Sequence, residues 1–80
     1  MAKKSSNIVH QYFKKELGEG MILVKVNPLL FTGIEISILP SGEVEMREME
    51  FDEQIFEDLN EDGFLESSPL EFNLYYSGLA

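Results

Sequence analysis

The sequence predicts an α+β domain: an antiparallel sheet of about four strands with two helices packed on one face, in the order α-β-β-β-α-β. Three observations support this. Apolar residues recur at helical spacing over residues 8–17. Two long extended segments are hinged at Pro40-Ser41-Gly42. Near the C-terminus, apolar and polar residues alternate from Leu70 to Tyr76.

Residues 1–6 are polar and are expected to be disordered, which leaves 7–80 as one domain. Ser6 or Asn7 is placed to cap a helix in which Ile8, Val9, Tyr12, Phe13 and Leu17 share a face. Lys14, Lys15 and Glu16 fall largely on the opposite face, and Gly18 and Gly20 end the helix. Residues 8–13 taken alone also fit a strand. Residues 21–26, Met-Ile-Leu-Val-Lys-Val, read as a short buried strand, and Asn27-Pro28 as a turn.

The long hairpin follows, with arms at 29–39 and 43–51. Proline suits the first turn position and Gly42 supplies a left-handed residue, which sets a register in which paired numbers sum to 82. Ile38 then faces Val44, Ile36 faces Met46, and Glu35 meets Arg47 as an attractive pair. Farther out the apolar side changes: Ile34 faces Glu48, Gly33 faces Met49, and Phe31 faces Phe51. Either a bulge near Gly33 or Glu48 restores one apolar face, or the hairpin is apolar on both sides, with a helix on one and a second subunit on the other.

Asp52 is a candidate N-cap for a second helix, with Phe51 stapled onto Phe56 and Ile55, Phe56 and Leu59 as the buried stripe. That helix ends near Gly63. Alternation of Leu70, Phe72, Leu74 and Tyr76 with Glu71, Asn73 and Tyr75 then predicts a last, half-buried strand.

Composition narrows the function. An 80-residue chain buries only about 60–65 % of its unfolded surface, so its core is thin unless something reinforces it. There is no cysteine and only one histidine, His10, which excludes disulfides and argues against zinc or iron–sulfur centres. No cofactor is expected. Residues 1–25 carry five lysines against Glu16 and Glu19, a sum of +3; residues 26–80 carry Arg47 against thirteen carboxylates, a sum of −12. The resulting −9 disfavours nucleic acid and anionic membranes. Without a signal peptide or a spanning segment, a cytoplasmic location is expected.

Asp58-Leu59-Asn60-Glu61-Asp62-Gly63-Phe64-Leu65-Glu66 resembles the front of an EF-hand calcium loop, with Asp58, Asn60, Asp62 and Glu66 at ligand positions. Pro69 stands where the bidentate glutamate belongs. The same residues read as a helix C-terminus, with Gly63 left-handed and Phe64 folded back near Leu59 or Asn60. The acidic run over 43–71 is either a solvated face or a surface for a basic partner. Catalysis has little support. His10 lies beside the apolar stripe without a cysteine, the serines lack a nucleophile-elbow context, and Gly18-Glu19-Gly20 precedes a strand where a phosphate loop would precede a helix.

The expected function is therefore a small non-catalytic protein–protein interaction module that forms a homodimer, with Phe31, Met49, Phe51 and Tyr75 as candidate contacts. The alternatives are an acidic adaptor or inhibitor docking a basic surface of another protein, and calcium binding at 58–66.

Overall fold

The computed structural model describes residues 9–79. The expected disorder of 1–6 and the capping by Ser6 or Asn7 lie outside the described residues. The class is α+β, with a five-stranded antiparallel sheet and two helices. The elements are β1 (Gln11–Leu17), β2 (Gly20–Asn27), β3 (Thr32–Ile38), β4 (Val44–Glu50), α1 (Ile55–Glu61), β5 (Leu65–Glu66) and α2 (Pro69–Leu79). Strand order across the sheet is β4-β3-β2-β1-β5, a meander of four strands with the two-residue β5 added beside β1.

Three expectations are corrected. The segment expected as the first helix is strand β1, paired with β2 from Gln11↔Val26 to Leu17↔Gly20. Its apolar residues fit both periods because both sheet faces are covered, so Phe13 and Tyr12 each find a core on opposite sides. Gly18 decides the outcome: at φ +63 it takes the first position of a two-residue hairpin turn, where a left-handed glycine matches the strand twist.

The segment expected as the last strand is helix α2. Ser68 accepts a hydrogen bond from the Glu71 amide at 3.2 Å, and Pro69 begins the helix, where its missing N–H costs nothing. Helical spacing turns Phe72, Tyr75 and Tyr76 toward the sheet and leaves Leu70 and Leu74 outside. The element order is thus β-β-β-β-α-β-α rather than α-β-β-β-α-β.

Thirdly, the helices lie on opposite faces of the sheet. Residues Phe13, Val24 and Val26 pack with Ile55 and Leu59 of α1, joined at the margin by Phe31, Phe51, Phe56 and Phe64. On the other face Leu23 and Ile36 pack with Phe72 of α2, joined by Tyr12, Ile34, Ile38 and Val44. The near-continuous apolar run of β2 follows from this: a central strand sandwiched between two helices buries both its faces.

The long hairpin keeps the expected register without a bulge, from Ile38↔Val44 to Thr32↔Glu50, and the Phe51 amide still donates to the Phe31 carbonyl at 2.7 Å. The apolar side changes because each face has its own core. Gly33 sits where the change happens: a Cβ there would meet the Phe51 ring at 2.7 Å. The turn closes as expected, with the Gly42 amide on the Leu39 carbonyl at 2.8 Å and Gly42 at φ +94.

Helix α1 starts at Ile55, later than Asp52 suggested. The Asp52 carboxylate accepts from the Gln54 amide at 2.9 Å, making a turn just ahead of the helix. At its far end the Gly63 amide donates to Asn60 (3.1 Å) and the Phe64 amide to Leu59 (2.9 Å), with Gly63 at φ +88. This is the Schellman closure that the residues at 59–64 imply.

Candidate functional site

The two faces of the sheet are covered unequally. Helix α2 lies over β1 and β2. Ile36 of β3 is buried beneath the helix side of the cluster, whereas Ile34, Ile38 and Val44 are only half-buried. Next to them Met46 of β4 is 46 % exposed. By register, Ile34, Ile36, Ile38, Val44 and Met46 all project to the α2 side of the sheet. On the outside of α2, Leu70 and Leu74 are 70 % and 67 % exposed, one helical turn apart. An apolar surface therefore continues from the covered core toward the β4 edge.

The edge itself is open. Among the described residues strand β4 has a neighbour on one side only; it runs seven residues and contains no proline. On its α1 side Glu45 and Arg47 are polar and Met49, nearer the far end, is apolar. Arg47 donates to Glu35 Oε1 through Nη2 at 2.7 Å and Nε at 3.2 Å, which is the expected cross-strand pair. That hydrogen bond first, then the charges of Glu35 and Glu45, hold the Arg47 guanidinium above its ordinary pKa. The pair is exposed, so its contribution to stability is small.

At the strand ends, on the α2 side, lies an open cleft of about 470 Å³ whose lining includes His10, Lys25, Thr32, Ile34, Glu48 and Glu50. It combines two basic side chains with two carboxylates. The Lys25 ammonium lies 6.0 Å from the centre of the Tyr12 ring. Asn27, which also borders the cleft, is committed to the fold: its Oδ1 accepts from the Leu29 (2.9 Å) and Leu30 (3.1 Å) amides.

A second ion pair holds α2 in place. Lys14 of β1 approaches Glu71 at 3.3 Å, and the Ser67 hydroxyl donates to Glu71 at 2.7 Å. The Ser67 hydrogen bond is the largest effect and, helped by Lys14, keeps the Glu71 carboxyl below its usual range against the opposing effect of burial.

The four candidate contact residues do not share one surface. Phe31 and Phe51 are half-buried against the α1-side cluster, and Met49 projects to that side by register. Tyr75 packs half-buried on the α2 side. Met46, Leu70 and Leu74 are the apolar side chains that sequence reasoning left out. The signal for the two leucines was Ser68-Pro69-Leu70-Glu71, a helix-start pattern that makes Leu70 and Leu74 neighbours.

Of the possible calcium ligands, Asp58 and Asn60 are in α1, Asp62 is its C-cap and Glu66 is in β5. Among the described residues, no group of three or more His, Cys, Asp or Glu side chains is placed to hold a metal ion. Nor is any helix of the described residues long and apolar enough to cross a membrane. The chain matches no protein-family model, no curated protein and no solved structure.

Proposed function

We propose that this chain is a small, non-catalytic protein–protein interaction module that works as a homodimer. The supporting observation is the uneven cover of the α2-side face, which leaves Met46 exposed next to half-buried Val44 and Ile38, with Leu70 and Leu74 exposed on the outside of α2. A thin core gains from covering such a surface, because each buried methylene contributes about 0.8 kcal/mol. Sedimentation equilibrium across nanomolar to micromolar concentrations tests the reading. A concentration-dependent dimer is the expected result, and a folded monomer throughout overturns it.

A second reading, an acidic adaptor for a basic surface on another protein, is favoured by Glu43, Glu45, Glu48 and Glu50, all exposed on or beside the open β4 edge. It predicts binding that weakens steeply with added salt.

A further inference from the structure

The geometry points to the β4 edge as the self-association surface: two copies pair β4 with β4 antiparallel, with Met46 on the two-fold axis and Glu45 of each copy facing Arg47 of the other. This inference rests on the homodimer reading and specifies its interface.

The backbone fixes which groups are available. The Leu39 amide donates to the Glu43 carbonyl and the Phe51 amide to the Phe31 carbonyl. In an antiparallel ladder hydrogen-bonded pairs alternate with non-bonded ones. The odd-numbered residues of β4 therefore turn their N–H and C=O groups toward β3. Val44, Met46, Glu48 and Glu50 turn theirs outward, along an edge that no other strand of the described residues borders. A second β4 can bond only to those residues, so even residues must oppose even ones.

Charge then selects the register. A chain of net charge −9 repels its own copy, so self-contact requires local complementarity. With the axis at Arg47, two arginines face each other. An axis at Glu48 opposes two glutamates, and one between the two Glu45 residues does the same. With the axis at Met46, no like charges face each other. Val44 opposes Glu48, the two Met46 side chains meet on the α2 side, and Glu45 opposes Arg47 twice on the α1 side. These charged pairs fall at non-hydrogen-bonded positions, where facing side chains are closest. Within one chain Arg47 already lies near both Glu35 and Glu45, and its guanidinium has donors to spare for a third carboxylate.

Charges on an open edge usually keep strands apart. Here a single arginine two residues from Glu45 leaves one register attractive and makes the neighbouring ones repulsive, which is how specificity is built into a strand edge. The pairing extends the sheet across both copies and removes Met46 from solvent.

The test uses two full-length variants, E45R and R47E, studied separately and as an equimolar mixture by sedimentation. Alone, each places like charges at both facing positions, and dimer affinity falls by roughly thirty-fold, taking two cross-strand pairs each turned from attraction to repulsion. Mixed, E45R and R47E restore both attractive pairs and form a heterodimer in preference to either homodimer. R47E also loses its own bond to Glu35, so circular dichroism checks its fold, and E45R, which keeps that bond, is read independently. Met46→Cys gives a further readout in a chain without cysteine. The on-axis Cα atoms would lie about 5.5 Å apart, within disulfide range, and mild oxidation yields a covalent dimer. If the wild type dimerises but both charge variants dimerise equally well and M46C does not cross-link, the β4 interface is wrong and the homodimer reading survives. A monomeric wild type overturns both.

Discussion

Truncating Phe72 to alanine tests the docking of α2 and, with it, the two-sided core. Phe72 is 1 % exposed. Its ring lies 5.6 Å from that of Tyr12 and 5.7 Å from that of Tyr76, on the face that also buries Leu23 and Ile36. Removing a buried phenylalanine costs about 3–5 kcal/mol in transfer and cavity energy. At about 0.05–0.15 kcal/mol per residue, the whole chain is worth roughly 4–12 kcal/mol. Phe72→Ala therefore removes a large share of the stability and can unfold the protein at room temperature. Leu74→Ala, two residues on, serves as the control. In a strand Phe72 and Leu74 would point the same way and cost alike. In helix α2 Leu74 is 67 % exposed, and its truncation stays within about 0.5 kcal/mol. Urea denaturation followed by circular dichroism, at protein concentrations low enough to keep the chain monomeric, measures both. Equal losses for the two variants, or a loss under about 1 kcal/mol for Phe72→Ala, would refute the placement of α2.

Two further outcomes concern the fold and its pH response. Gly33→Ala places a methyl group against the Lys25 carbonyl and the Phe51 ring, and overpacking of this kind costs about 1–3 kcal/mol; an unchanged denaturation midpoint would show that the ring does not sit over Gly33. Glu71 has its carboxyl held below the ordinary value of 4.5, first by Ser67 and then by Lys14. A carboxyl depressed on folding contributes stability that is complete above its unfolded value and disappears as pH falls through the lower folded one. Melting curves from pH 6 down to pH 3 should therefore show the wild type losing its advantage over Glu71→Gln below about pH 4.5. A difference that stays constant with pH would remove the pair from the account of how α2 is held.

Local chemistry was legible where a turn or a cap is written into a few adjacent residues. Pro40-Ser41-Gly42 set the hairpin and its register, Glu35 found Arg47, and residues 59–64 described their own helix terminus. Reading failed where one segment fits two periods. Tyr12 and Phe13 satisfy helical spacing and also strand alternation between two covered faces. Leu70, Phe72, Leu74 and Tyr76 alternate like a strand, yet the Ser68-Pro69 start makes them a helix. The four candidate contacts fall on two faces because both sides of the sheet carry a core. Phe31 and Phe51 looked surplus to a one-sided core, but α1 gives them a core of their own.

By itself the sequence determined a small acidic α+β domain with a long hairpin of fixed register, because turn stereochemistry and side-chain alternation act over a few residues. Only the tertiary structure decided that the helices flank the sheet, that β1 is a strand, and that Met46 lies on an open edge. Those outcomes depend on which segments meet across the chain. A residue's own neighbours in sequence do not reveal whether one face or both will be covered, and that coverage selects between two local conformations of similar propensity.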